Sequence, residues 1–355
     1  MTGNGADRAA AGRNPAGRTP AERTLPASWY RDQALHERER AGVFAKTWLL
    51  LGHESRLKNP GDYLAETVAG FPLLLLRGQD GELRAFHNVC RHRAGPLVED
   101  ESGHCGQELV CRYHGWRYAL DGRLKSARDF GPATDFDTRE FALYPLHIAT
   151  WRGFVFVAHS AAAGSLSALF EPLTRRTAHL PFESYVFTRR AAHDLSCNWK
   201  TYVENYLEGY HVPVVHPGLA REIDAARYRV IVEDRVWIHE APPADAKKAN
   251  GVFEGLWGFV WPNLAINIYR NGVMMERVVP LGAHKTRLVY DYYFDPKAAK
   301  DSTLAMSNEV TAEDIRIVEA VQRNLDAGIY EWGRLSPRHE NGVAAFQKSI
   351  REAIA

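Results

Sequence analysis

Two short mixed pairs, Cys90-x-His92 and Cys111-x-x-His114, carry the most specific chemistry in the chain. Two thiolates and two imidazoles gathered from two loops can hold a [2Fe-2S] cluster, one iron on sulfur and the other on nitrogen, and such a group moves single electrons. Zinc is the rival for any Cys2His2 set. Structural zinc fingers, however, usually place both cysteines in one pair and both histidines in the other, on a helix. Here each pair is mixed. The flanking text, NVCRHRAGPL and LVCRYHGWRYALDGRL, is rich in Gly, Arg and aromatics and follows strand-like runs such as PLLLL, which reads as hairpin tips. Iron is therefore ranked above zinc, and four unconnected core residues below both.

A second constellation lies in NWKTYVENYLEGYHVPVVH, Asn198 to His216. Glu208 and His211 are three apart and are expected to share a helix face. His216 would point away on a continuous helix, but Pro213 disrupts helical hydrogen bonding and lets the chain turn it back toward His211. Two imidazoles and one carboxylate on a single face leave positions open for dioxygen, the facial triad of non-haem iron. The carboxylate must come from elsewhere. In EVTAEDIRIVEAVQRNL the apolar helical stripe is Val310, Ile317, Val318, Val321 and Leu325, and Asp314 falls on it. An acid facing a core is costly unless paired or metal-bound, whereas Glu319 can pair outward with Arg323. The competing role for Asp314 is helix capping, with Thr311 three residues earlier; spacing leaves the two open.

The elements that position these groups divide the chain. Residues 1–28, with no aromatic before Trp29, read as a disordered tail in preference to an organelle transit peptide, and residues 29–42 as an N-terminal helix packing on the catalytic half. From 43 to 159 short strand-like runs alternate with turn signals such as Asn59-Pro60-Gly61 and Asp-Gly at 80–81 and 121–122. Residues 160–168 read as a linker, and 169–355 as a second domain. With 355 residues, 45% hydrophobic, there is enough chain for two cores. A net charge of +1 argues against nucleic acid or an anionic membrane as main partner. Four cysteines give no disulfide framework, and no apolar run spans a bilayer, so the cytoplasm is the expected compartment.

These residues resemble the Rieske non-haem iron oxygenases, the catalytic alpha subunits of ring-hydroxylating and related enzymes. The family pattern, C-x-H-R and then C-P-Y-H-G-W, is matched except that Arg112 replaces Pro. Cytochrome-complex Rieske proteins add a cysteine pair between the loops; here Tyr113 offers none, and Cys105 is expected to be a free thiol. The resemblance implies an α+β chain, an antiparallel β Rieske domain before a helix-grip-like catalytic domain with an antiparallel sheet and helices. It implies a [2Fe-2S] cluster on Cys90, His92, Cys111 and His114, and mononuclear Fe(II) on His211, His216 and Asp314. Glu208, with Asn205 beside it in the catalytic set, would link His211 to His114 of a neighbouring chain in a homotrimer.

The resemblance covers nearly everything after residue 40 and is strongest to choline monooxygenase-like members, through AFHNVCRHRA, YHVPVVHP, FVWPNLAINIY and VVPLGAHKTRLVYDYY. Glu rather than Asp at 208 is shared with members acting on quaternary ammonium compounds. Such cations are held by aromatic faces, and Trp257, Phe259, Trp261 and Tyr269 are candidate contacts, with sheet core as their commoner role. The implied activity is hydroxylation of choline, a betaine or a carnitine-like compound, using dioxygen. No Gly-x-Gly-x-x-Gly or plant-type ferredoxin run is present, so electrons would come from a separate NAD(P)H-dependent reductase or ferredoxin. The alternatives are an aromatic ring-hydroxylating dioxygenase or demethylase on an aromatic acid, and a Rieske electron-transfer protein; the large second half opposes the last.

Overall fold

The computed structural model describes residues 21–244, 253–298 and 300–355. Asp32 caps α1 (Gln33–Gly42) by accepting the Ala34 and Leu35 N–H groups. Strands β1 (Leu49–His53), β2 (Asp62–Val68), β3 (Phe71–Arg77), β4 (Leu83–His87), β5 (Ser102–His104), β6 (Glu108–Val110), β7 (Arg117–Ala119), β8 (Leu124–Ser126), β9 (His147–Trp151) and β10 (Phe154–Ala158) follow. They form antiparallel sheets in the orders β4-β3-β2-β5, β6-β7-β8 and β1-β10-β9. Gly81 and Gly122, closing the two Asp-Gly pairs, adopt φ of 84° and 89°, which side chains rarely tolerate.

The second half begins with α2 (Leu166–Arg176), capped by Ser165, whose Oγ accepts the Ala168 N–H at 3.3 Å. Part of the stretch read as a linker is thus the first turn of a helix. Next come β11 (Val186–Leu195), α3 (Trp199–Tyr206), α4 (Val212–Val215), α5 (Pro217–Ala220), β12 (Arg229–Glu233), β13 (Val236–Glu240), β14 (Phe253–Val260), β15 (Leu264–Tyr269), β16 (Gly272–Gly282) and β17 (Lys285–Phe294). Then α6 (Asp301–Asp326) and α7 (Asn341–Ile354) close the chain. The seven strands make one sheet, β11-β17-β16-β15-β14-β13-β12, antiparallel throughout. The α+β expectation therefore holds.

That sheet is covered on both faces, which is why LAINIY is buried at every position instead of alternating. On one face Ile238, Ile266 and Met275 pack with Phe154 and Phe156 of β10 and Phe170 of α2. On the other, Trp237, Phe259 and Ala265 pack with Trp199 of α3 and Phe346 of α7. Helix α1 is fastened beneath this second layer. Glu39 accepts from Trp199 Nε1 at 2.8 Å and pairs with Lys200 Nζ at 2.5 Å, all of it buried.

The expected tail is corrected at its C-terminal end. Residues 1–20 lie outside the described residues, but 21–28 dock on the chain's C-terminal part. Thr24 donates its N–H to Gly333 O, Ala27 to Glu331 O, and Leu25, fully buried, donates to Gln347 Oε1. Composition hides this because the partners lie more than three hundred residues away.

Breaking a buried ion pair by removing one partner strands the other charge, at about 3–5 kcal/mol. Glu39→Ala is therefore expected to lower the denaturant midpoint strongly, and a Glu39→Met, Lys200→Met double variant to recover much of the loss.

Candidate functional site

The four Cys/His residues lie on two loops with the same backbone design. In the first, after β4, Cys90 donates its N–H to Gly95 O at 2.8 Å and accepts from Ala94 N at 3.1 Å. In the second, between β6 and β7, Cys111 donates to Trp116 O at 2.9 Å and accepts from Gly115 N at 2.9 Å. Ala94 and Gly115 hold the equivalent left-handed position, at φ 57° and 75°. Asn88 staples the first loop, accepting the Leu97 and Val98 N–H groups and donating to Val98 O.

Both cysteines are buried and none of the four cysteines is disulfide-bonded, Cys105 included. The His92 and His114 rings meet at 4.5 Å between centroids, and Trp116 stacks on His92 at 4.8 Å, 8° from parallel. His92 Nδ1 is buried without a hydrogen-bond partner, as a nitrogen reserved for a metal would be. A Cβ at Gly95 would come within 3.0 Å of Cys111 Sγ, so the space between the loops is kept clear. These residues fit a [2Fe-2S] group. Tyr118, fully buried, places its hydroxyl 3.2 Å from Cys90 Sγ while accepting the Arg91 N–H, an orientation that aims its proton at the sulfur.

The second site gathers His211, His216 and Asp314, whose ligand atoms all lie within 4.8 Å of one another. His216 Nε2 is 3.1 Å from His211 Nε2 and 3.0 Å from Asp314 Oδ1. The far edge of each imidazole is held, His211 Nδ1 by Glu208 Oε1 at 2.5 Å and His216 Nδ1 by Glu313 Oε2 at 2.7 Å, while Asn205 Nδ2 donates at 2.7 Å to Asp314 Oδ1, the same oxygen that meets His216. Such outer partners fix tautomer and ring orientation. Burial opposes charge on His216, but Asp314 and Glu313 outweigh it and raise its pKa. A cation at Nε2 would take the proton's place, so this set fits a metal too.

Several details differ from the reading of the sequence. Glu208 and His211 are not on a shared helix: α3 ends at Tyr206, and Glu208 caps a turn by accepting the Tyr210 and His211 N–H groups. Pro213 does not cause the break, since it sits in the first turn of α4; the break falls at His216, which precedes Pro217 and is pushed to φ −117°, ψ 70°. In α6 the buried stripe is Thr303, Ser307, Thr311, Asp314, Val318, Gln322 and Leu325, while Ile317 and Val321 are 38% and 41% exposed. Asp314 lies in mid-helix, so it is not a cap. Glu319 accepts the Ser196 N–H instead of pairing with Arg323.

A cavity adjoins the triad, lined among others by Tyr206, Tyr228, Trp257, Tyr269 and Glu276. Of the four candidate aromatics, Trp257 and Tyr269 line it. Phe259 and Trp261 do not; they pack with Phe346 in the core. Register explains the split: Phe259 lies in a cross-strand row with Trp237 and Ala265, under α7, whereas Trp257 lies in the next row with His239 and Asn267. Glu276, Glu313, Tyr118 and His239 were not singled out from sequence; for Glu313 alone a signal existed, its place beside Asp314.

Residues 47–142 match the Rieske [2Fe-2S] domain, and residues 182–355 the ring hydroxylating alpha subunit catalytic domain. Choline monooxygenase of Beta vulgaris, a chloroplastic protein, is 31% identical, covering 93% of this chain and 77% of its own. The carnitine monooxygenase oxygenase subunit of Escherichia coli K12 is 31% identical, covering 93% and 94%. Among solved structures, a quaternary ammonium Rieske monooxygenase, described for carnitine oxidation and inter-subunit electron transfer, superposes with a TM-score of 0.82 at 26% identity over 94% and 96%.

A hydrogen bond to a cluster sulfur favours the electron-rich reduced state. Tyr118→Phe is expected to lower the midpoint potential; a differential of about 1 kcal/mol corresponds to roughly 40 mV for one electron. Protein-film voltammetry reads this directly, and an unchanged potential would deny the hydroxyl any role at the sulfur.

Proposed function

The chain belongs to the ring-hydroxylating alpha subunits, the Rieske oxygenases, and is an oxidoreductase with a [2Fe-2S] cluster and a mononuclear iron; we propose that it is a monooxygenase of a small quaternary ammonium compound. The observation that carries this reading is the cavity beside His211, His216 and Asp314, walled by Tyr206, Tyr228, Trp257 and Tyr269. Aromatic faces suit a cation that offers no hydrogen-bond donors. The relatives named for choline and carnitine support the same class.

In this reading Cys90, His92, Cys111 and His114 hold the cluster, and His211, His216 and Asp314 the iron. Bound there, a cluster supplies electrons one at a time and an iron ion activates dioxygen. The chain's own groups do the rest. Glu313 and Glu208 keep the two imidazoles with Nε2 inward, Asn205 holds Asp314, and the aromatic wall seats the ammonium and excludes water. Glu208, bound to His211 Nδ1, is the positioning residue that faces the partner subunit's His114 across a homotrimer. Exposed apolar groups support a subunit contact at both ends: Tyr113 beside His114 is 56% exposed, and Val214 near His211 is 85% exposed. Electrons arrive from a separate reductase. No helix among the described residues is long and apolar enough to cross a membrane.

Holoprotein with a surrogate reductase is expected to couple NADH consumption to product with choline, betaines or carnitine and not with benzoates; the reverse result would favour the aromatic-acid reading. Iron analysis should give about three atoms per chain, falling to about two with the cluster spectrum intact when His211 and His216 are replaced by alanine. Glu208→Gln should keep both metals and lose nearly all turnover, and light scattering should report a mass near three chains.

A further inference from the structure

Glu276 is a buried acid with no cationic side chain paired to it among the described residues. It is 2% exposed, lines the cavity from β16, and its bonds come from neutral donors, Tyr202 Oη at 2.6 Å, Asn267 Nδ2 at 2.9 Å and the Tyr290 hydroxyl. Glu204 is also held by neutral donors, Tyr30 and Gln347, but it lies away from this cavity; the other two acids buried as deeply differ. Glu39 meets Lys200, and Asp291 meets Arg190 and Arg277. Within its cross-strand row, Trp237, Phe259, Ala265, Glu276 and Tyr290, it is the lone ionisable carboxyl. A carboxylate so placed is costly unless a positive charge joins it. Burial accordingly pushes its carboxyl up to about 7, against the pull of Tyr202, Asn267 and Tyr290.

The rest of the wall says what kind of cation fits. Among the described residues lining the cavity none is Lys or Arg. The other two acids there, Glu208 and Asp314, are already engaged with His211 and His216. His239, 1% exposed, bonds Tyr228 Oη through Nδ1 at 2.7 Å and leaves Nε2 without a partner. Burial drops its pKa to about 3, so it stays neutral, able to hydrogen-bond a hydroxyl but not to neutralise a carboxylate.

Resting on the quaternary ammonium reading, we propose that Glu276 is the counter-ion of the substrate's ammonium group and selects a small ammonium alcohol over zwitterions that carry a carboxylate. His239 Nε2 is the partner for the alcohol.

Calorimetry on the holoprotein tests this with choline, glycine betaine, L-carnitine and dimethylbutanol, the uncharged carbon isostere of choline. Wild type is expected to bind choline about 10-fold or more tighter than either zwitterion or the isostere. Glu276→Gln, which keeps the side-chain shape, should weaken choline by about 30-fold and leave the isostere unchanged. Zwitterions bound as tightly as choline by the wild type overturn the selection without recourse to any variant. Equal losses for choline and isostere would mark Glu276 as structural and also overturn it, leaving the quaternary ammonium reading standing. Binding of benzoate with none of the ammonium compounds would remove that reading and this proposal together.

Discussion

Two imidazoles can turn the same edge toward one carboxylate only if something holds their opposite edges. Glu208 on His211 Nδ1 and Glu313 on His216 Nδ1 do this, and the two Nε2 atoms are left 3.1 Å apart beside Asp314. Three separate pieces of chain must agree for this to happen: the turn after α3, the junction of α4 and α5, and the middle of α6. The frame that makes them agree is also hydrogen-bonded. Ser196 and Asn198, at the start of α3, donate their N–H groups to Glu319 and Gln322 of α6, so the helix carrying Asp314 is tied near the root of the helix that leads to Glu208. Beneath them Lys200 and Trp199 are fastened to Glu39.

Glu208 has two duties that use one carboxylate. It closes the turn by accepting two backbone N–H groups, and it fixes the His211 tautomer. An i to i+3 spacing on a helix would have allowed the second alone. Leaving the helix at Tyr206 frees the main chain to supply donors, which pins the acid more firmly than a solvated helix face could. The same economy is visible in the cluster loops. There Ala94 tolerates a left-handed φ that Gly115 takes easily, because the paired hydrogen bonds to Cys90 require the chain to reverse at that residue.

What sequence revealed and what it concealed follow one line. Cys90, His92, Cys111, His114, His211 and His216 were legible as candidates because ligand chemistry restricts residue type and local spacing, whereas spacing left Asp314, 98 residues from His216, open between ligand and cap, and only the family resemblance chose between them. The small β region was legible from its turn residues. Proline also left a signal, but it was assigned to Pro213 when Pro217 sets the geometry of His216. Misreadings arose where contact depends on elements distant in sequence. Phe259 and Trp257 alternate identically along β14, and only the strands beside them and α7 above decide that one is core and the other cavity wall. Ile317 and Val321 look like a core stripe, yet the buried face of α6 is mostly polar because it must serve Tyr290, Tyr292 and the Asn198 backbone. Leu25, one apolar residue in a polar stretch, carried no local hint of its bond to Gln347.

The adjacent residues Glu276 and Arg277 show how strand geometry divides labour between the two halves of the molecule. Neighbours on a strand point to opposite faces, so these opposite charges cannot satisfy each other. Arg277 turns away from the cavity and, wholly enclosed, binds Glu66 of β2 and Asp291 of β17. Arg190 joins Asp291 from the other side and reaches Glu101, so the strand is stapled to the cluster-bearing region by ion pairs. Glu276 faces inward with neutral donors only. Had the order been reversed, a guanidinium would face the aromatic cavity and repel a cation, and Glu66 and Asp291 would crowd a third acid. The register of β16, set by its pairing with β15 and β17, thus decides at one step where the two halves are joined and which sign of charge the cavity presents.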